Sequence, residues 1–222
     1  GQYWYLKQVK DPMADHQDAL FSRLFLNNNQ PQLDKAAKTL PSTYDVDDLD
    51  GLATRMGMQE TTNNPFELKN DFYTKRVKRN MPKLKGSQAT WSYVKSPEYS
   101  DLQLVLNTFA KKHMEVLFVT PPINAKWAAF TGLDLGMIQN TVTKMKYQLQ
   151  TQGFNHVLDL SQDGAQPYFM EDTIHIGWRG WLKMDQTVRP FLKTTKAAPV
   201  HYKLNDQFYT KHWQQQSANG LD

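Results

Sequence analysis

Val116-Leu117-Phe118-Val119, running straight into Thr120-Pro121-Pro122, is an apolar run of strand length that ends at a rigid break. Four apolar residues without alternation predict a strand buried on both faces. A second run of the same kind is Val157-Leu158-Asp159-Leu160. Between the two, a loop over 120–132 leads into a helix from about Leu133 to Gln152. Its apolar face is Ile138, Val142, Met145 and Leu149, and Gly153 stands where a helix stops. Strand, helix, strand at this spacing predicts a crossover between parallel strands. Working outward, Leu102, Val105, Leu106 and Phe109 recur at i, i+3, i+4, i+7, the pattern of a one-sided helix. Ser100-Asp101-Leu102-Gln103 has the form of a capping box at its start, and Lys111-Lys112-His113 close it where the helix dipole favours positive charge. On the other side, Trp181, Val188, Phe191 and Leu192 mark a last helix over about 178–192, which Pro190 should end or kink. The expected fold class is α/β, a parallel sheet covered on both faces. Two strands make a thin sheet, so part of the domain is expected to lie outside this chain.

The first 96 residues read as a separate region, helical and then basic, ahead of an α/β region over 97–222. Leu20, Phe21, Leu24 and Phe25 recur at helical spacing, and Pro31 opens a short helix carrying Leu33, Ala36, Ala37 and Leu40. A third helix is expected from about Asp45 to Gln59, weakened by Gly51 and Gly57. Residues 61–96 keep no sustained period apart from one short helix near Glu67 to Lys78. That stretch holds 8 basic and 2 acidic residues, whereas the whole chain has a formal charge of only +4. Lys75, Arg76, Lys78 and Arg79 crowd together there. In a regular helix Lys75 would lie beside Lys78 and Arg79, an arrangement suited to an anionic polymer or membrane surface. An ordinary solvated face is the competing explanation.

Composition excludes several classes. At 222 residues and 40% hydrophobic content the chain can bury a core. No apolar run reaches the roughly 18 residues that suggest a membrane span. The opening Gly1-Gln2-Tyr3-Trp4-Tyr5 has neither an initiator Met nor a leader pattern and reads as a cut end. The absence of cysteine excludes disulfides, thiolate metal sites and a cysteine nucleophile. His113 reads as a helix cap, while His16, His156, His201 and His212 show no ligand spacing, so no metal and no cofactor is expected. The 6 Trp and 10 Tyr come with no nucleic-acid-binding motif.

In open α/β sheets the chemistry gathers in loops after the carboxyl ends of strands. Here one such loop is Thr120 to Trp127, in which Asn124 could donate into a substrate or oxyanion site or simply hold the loop together. The other contains Asp172-Thr173-Ile174-His175. An Asp three residues ahead of a His can bond one imidazole nitrogen, fix the tautomer and leave the other nitrogen as a general base. A contact of about 2.6–3.2 Å near Asn124 is expected on that reading. Trp178 and Trp181, three apart, read as core.

Two longer strings carry a resemblance. Pro122-Ile123-Asn124-Ala125-Lys126-Trp127, with Thr131-Gly132 after it, and Asp172-Thr173-Ile174-His175-Ile176-Gly177-Trp178 resemble the closing part of SGNH (GDSL-like) hydrolases. Within these they are similar to the DltD family of D-alanyl-lipoteichoic acid biosynthesis proteins, most closely over about 91–192. The resemblance implies a three-layer SGNH-like parallel sheet, incomplete here, with an added helical subdomain. It also implies a membrane-anchored protein at the outer face of the plasma membrane of Gram-positive bacteria, the anchor lying amino-terminal to this chain. Its implied activity is D-alanyl transfer to teichoic acid by a serine acyltransferase or thioesterase. Lipoteichoic acid, a membrane-bound O-acyltransferase and a D-alanyl carrier protein are the implied partners. Asp172 and His175 match the catalytic pair, but the family's Gly-Ser nucleophile block has no counterpart. Gly86-Ser87 follows no buried strand and reads as a decoy. Asn124, Lys126 and Trp127 are candidate substrate contacts, as are the cations Lys75, Arg76, Lys78 and Arg79. A non-catalytic module that binds an anionic cell-wall polymer or a membrane partner is the alternative.

Overall fold

The strands β1 (Phe118–Thr120) and β2 (Val157–Asp159) pair in parallel, Phe118 opposite Val157 and Thr120 opposite Asp159. They belong to a computed structural model that describes residues 45–194 and 201–221. The chain divides into two compact units, 1–45 and 46–222. The second unit holds residues from both sides of the boundary expected at 96. The helices expected near Leu20 and Leu33 lie outside the described residues.

Because successive side chains in a strand point to opposite faces, each strand feeds two clusters. Phe118 and Val157 pack on Leu106, Leu149 and Phe154, beneath α4 (Glu98–Lys111) and α6 (Leu135–Gln150). Val119 and Leu158 turn the other way, onto Leu160, Phe169 and Met170. The architecture is thus mixed α/β around a parallel pair, an incomplete layered α/β fold. The remaining described helices are α1 (Val46–Glu60), α2 (Asn70–Phe72), α3 (Met81–Leu84), α5 (Ala125–Thr131), α7 (Trp178–Thr194) and α8 (Lys211–Gln215). None of the described helices is long and apolar enough to cross a membrane.

Three expectations change. The stretch expected as a loop over 120–132 contains α5, capped by Asn124, whose side-chain oxygen accepts from Trp127 N at 2.9 Å. The capping box does not form: α4 begins two residues earlier, at Glu98 after Pro97, so Ser100 already lies inside it. There its Oγ donates to Phe208 O at 3.3 Å, and Gln103 is buried in a network with Gln148 and Gln152. Tertiary partners have taken both side chains of the box. Finally, Pro190 does not end α7, which runs on to Thr194.

The crossover helix α6 is buried along two stripes. Ile138, Val142 and Leu149 form one, while Met137, Lys144 and Gln148 form a second. Lys144 is 0% exposed. Its Nζ donates to Val94 O, Gln214 O and Gln216 O at 2.9–3.2 Å and lies 4.2 Å from the centre of the Tyr99 ring. One ammonium thereby ties the carboxy-terminal segment to the crossover.

The loops after the two strands touch. Thr120 Oγ1 and Ser161 Oγ both donate to Asp159 Oδ1, at 2.8 and 2.6 Å. A Cβ on Gly164 would fall 1.8 Å from Ile123 O, so only glycine allows this approach.

Candidate active site

Leaving β2, the chain makes a short 3-10 turn at Asp163–Ala165 and then folds back on itself. Met170 and Ile176 bridge antiparallel, Glu171 N donates to His175 O at 2.9 Å, and Gly177 N donates to Phe169 O at 2.7 Å. Residues 172–175 form the tip of this small hairpin. Asp172 fixes the tip: its Oδ1 accepts from Ile174 N at 2.9 Å and from His175 N at 2.8 Å. That is the local turn an Asp side chain makes with amides two and three residues on. Its other oxygen, Oδ2, lies 2.7 Å from His175 Nδ1. The contact expected from the spacing is present. Asn124 N donates to Thr173 O at 3.1 Å, so the tip is fastened to the loop that follows β1.

The two partners differ in exposure. The Asp172 side chain is 13% exposed and that of His175 is 70% exposed. A buried carboxylate thus holds one ring nitrogen while the rest of the imidazole stands in the open. With Nδ1 donating to Asp172, the neutral ring keeps Nε2 as an acceptor. His175 borders an open groove of about 370 Å³, with Val119, Leu160, Ile176, Trp181 and Met184 along its walls. Such a geometry can accept a proton from a hydroxyl brought to Nε2. Among the described residues no hydroxyl lies within hydrogen-bond distance of His175. Ser87 Oγ donates to Leu84 O at 2.8 Å in an exposed turn.

The other candidate residues are placed differently. Asn124 is 4% exposed and fully engaged: it caps α5 and donates through Nδ2 to Phe66 O at 2.9 Å. It serves as a clamp, because its buried amide already has protein partners at both ends. Trp127 is buried against Phe66, Leu68 and Val77, so its ring belongs to the core. Lys126 forms an ion pair with Glu67. By contrast, Trp178 and Trp181, expected in the core, are 50% and 54% exposed. Helical spacing placed them on one face without saying whether that face has a neighbour.

The four basic residues do not sit on a regular helix. Tyr73–Val77 is a π-helical turn and Lys78–Asn80 a 3-10 turn, so the expected i, i+3 and i, i+4 adjacency does not carry over. Val77 alone turns inward, and Lys75, Arg76, Lys78 and Arg79 are all exposed. Lys75 pairs with Asp71 at 2.5 Å. Arg76, Lys78 and Arg79 form no ion pair among the described residues.

The family model for DltD protein matches residues 1–193. The chain belongs to the DltD family. It is 99% identical over 222 residues to protein DltD of Lacticaseibacillus rhamnosus, covering all of this chain and 52% of that protein. Protein DltD of Bacillus subtilis is 39% identical over 202 residues, which is 88% of this chain and 50% of that protein. Protein DltD of Staphylococcus aureus is 28% identical over 147 residues, or 66% of this chain and 37% of that protein. This DltD-family chain spans about half the length of the curated relatives it matches most fully.

Sequence reasoning passed over Glu171. It sits beside Asp172 in the chain and borders the same groove as His175. A carboxylate next to a candidate pair was the available signal, but nothing in its spacing shows which way it points.

Proposed function

We propose that this chain supplies the Asp-His half of a serine acyl-transfer centre in the D-alanylation of teichoic acid. The observation that carries the reading is the 2.7 Å contact from Asp172 Oδ2 to His175 Nδ1, beneath an imidazole open to a groove. In this reading a serine hydroxyl outside the matching motifs of this chain approaches His175 Nε2. Its oxygen bonds to the carbonyl carbon of a D-alanyl ester or thioester while its proton passes to Nε2. The leaving oxygen or sulfur takes that proton as its bond to carbon breaks. Asp172 stabilises the imidazolium formed in between. An acceptor hydroxyl of teichoic acid, or water, then repeats the sequence in reverse. Membership of the DltD family supports the substrate class. The implied O-acyltransferase and carrier-protein partners, and the location at the outer membrane face, rest on the same family reading.

Replacing His175 by Ala in the complete protein tests this. Transfer of D-alanine from a D-alanyl thioester is expected to fall by several orders of magnitude, as it does when a triad base is lost. The 222-residue chain alone should not exceed the buffer rate on the same substrate. Turnover by the Ala variant within a few-fold of the unmodified protein would sink the catalytic reading.

The exposed cations over 75–79 favour a second, compatible role as a surface for an anionic cell-wall polymer. Contacts between exposed charges are screened beyond roughly 8 Å at physiological salt. Binding of purified lipoteichoic acid should therefore weaken as salt rises. A variant with Lys75, Arg76, Lys78 and Arg79 all changed to Glu should bind at least about tenfold more weakly at low salt. Equal binding by both proteins, or indifference to salt, would leave the segment as an ordinary solvated surface.

A further inference from the structure

Two hollows meet at the hairpin that carries Asp172 and His175. One is the groove of about 370 Å³, whose lining is apolar except for His175, Glu171 and the indole of Trp181. The other, of about 100 Å³, is lined by Glu60, Lys69 and Trp178, and again by Glu171 and Trp181. Glu171 and Trp181 therefore stand at the junction. The charges there do not balance. Lys69 Nζ lies 3.1 Å from Glu171 Oε1 and 3.8 Å from Glu60 Oε2, so two carboxylates share one ammonium. The ammonium is hydrogen-bonded to Glu171 Oε1 and only near Glu60, so one negative charge remains in excess across the two carboxylates. Glu171 Oε2 makes no hydrogen bond among the described residues, and two half-exposed tryptophans stand beside it. Carboxylates give charge-assisted hydrogen bonds to an ammonium group, and indoles attract it through their ring quadrupole.

We infer that Glu171, assisted by Trp181, is a specificity-determining site for the α-ammonium group of an aminoacyl substrate whose carbonyl is presented at His175. The inference rests on the acyl-transfer reading of that pair. Chemistry sets the proximity: in an aminoacyl ester a single carbon separates the ammonium nitrogen from the reacting carbonyl. The cation must therefore bind next to the base. Glu171 lines the same groove as His175, and its backbone N–H donates to His175 O at 2.9 Å, which sets the two residues opposite each other across the hairpin. The apolar walls at Val119, Ile176 and Met184 would face the side-chain methyl. A propionyl group, with hydrogen in place of the ammonium, leaves the excess charge unanswered.

The test uses the complete protein and two esters of one alcohol, D-alanyl and propionyl. The unmodified protein should favour the D-alanyl ester in kcat/KM. In Glu171→Gln the ratio between the two esters should fall at least about tenfold, the scale of one charge-assisted hydrogen bond. Trp181→Leu should lower it less, in the same direction. A purely structural role for the Lys69–Glu171 pair would depress both esters together, and a ratio within twofold of the original would overturn the inference. Titration of the same proteins with D-alaninamide and propionamide, followed by tryptophan fluorescence, reads the site without turnover. If His175→Ala left turnover intact, the acyl-transfer reading would fail. The titration would still decide the site: a preference for D-alaninamide that persists in Glu171→Gln would rule out Glu171.

Discussion

Asp172→Asn, in a complete protein carrying the nucleophile, is expected to lower kcat on a D-alanyl ester by about ten-thousandfold, with little change in KM. The replacement is nearly isosteric. Its Oδ1 can still accept from the Ile174 and His175 amides, so the hairpin tip should keep its shape. The change falls on the other atom. Where Oδ2 now lies 2.7 Å from His175 Nδ1, Asn would place an NH₂ donor. Nδ1 must then become the acceptor, and the ring proton moves to Nε2. The nitrogen facing the groove would be a donor, unable to take a hydroxyl's proton. The double variant Asp172→Asn, His175→Ala should be no slower than His175→Ala alone, because the two residues act as one unit. Single-turnover kinetics on the three variants checks both statements. An Asn variant within tenfold of the unmodified protein would reduce Asp172 to a loop staple, a task its two backbone hydrogen bonds already perform.

The second large effect concerns stability. Lys144→Met is expected to destabilise the folded unit by about 4 kcal/mol, within the range for breaking a buried charge-assisted network by removing one partner. Methionine fills most of the volume but leaves the carbonyls of Val94, Gln214 and Gln216 without their shared donor. Denaturant unfolding at pH 7 measures the loss, and a change below about 1 kcal/mol would show that the carbonyls find other partners. Burial, with a smaller contribution from nearby Lys95, lowers the Lys144 pKa from 10.5 to about 8. Between these values the unfolded chain holds a proton that the folded one releases, so this group alone makes stability rise with pH across that window. Tyr99 works the other way. Burial raises its pKa from 10.0 to about 12, so its contribution is complete below pH 10 and declines above it. The lysine's rise should therefore be clearest from about pH 8 to 10, and Lys144→Met should lack it.

The features legible in the sequence depend on short spacing. Periodicity located both strands and the crossover helix, because a strand buried on both faces needs an unbroken apolar run and a helix repeats every three to four residues. Gly153, at φ 94°, ends the crossover segment where its position predicts. The Asp172–His175 contact was equally readable, since three residues of separation let a carboxylate reach the imidazole through its own turn.

Whatever depended on which distant neighbour arrives was decided by the tertiary structure. Ser100 and Gln103 have the right spacing for a capping box, yet Phe208 O and Gln152 claim them and the helix starts earlier. Lys144 occupies a position where sequence favours solvent, but three carbonyls from two distant segments converge on it and make burial possible. Trp127 is buried and Trp178 is not, although both lie on helices, because only the first has Phe66 and Val77 against it. The same holds at the candidate site. Sequence alone determined that Asp172 and His175 could act as a pair, since that contact lies within one turn. Only the folded chain placed Glu171 at the junction of two hollows with Lys69 and Glu60, because attraction between charges far apart in sequence follows their distance in space.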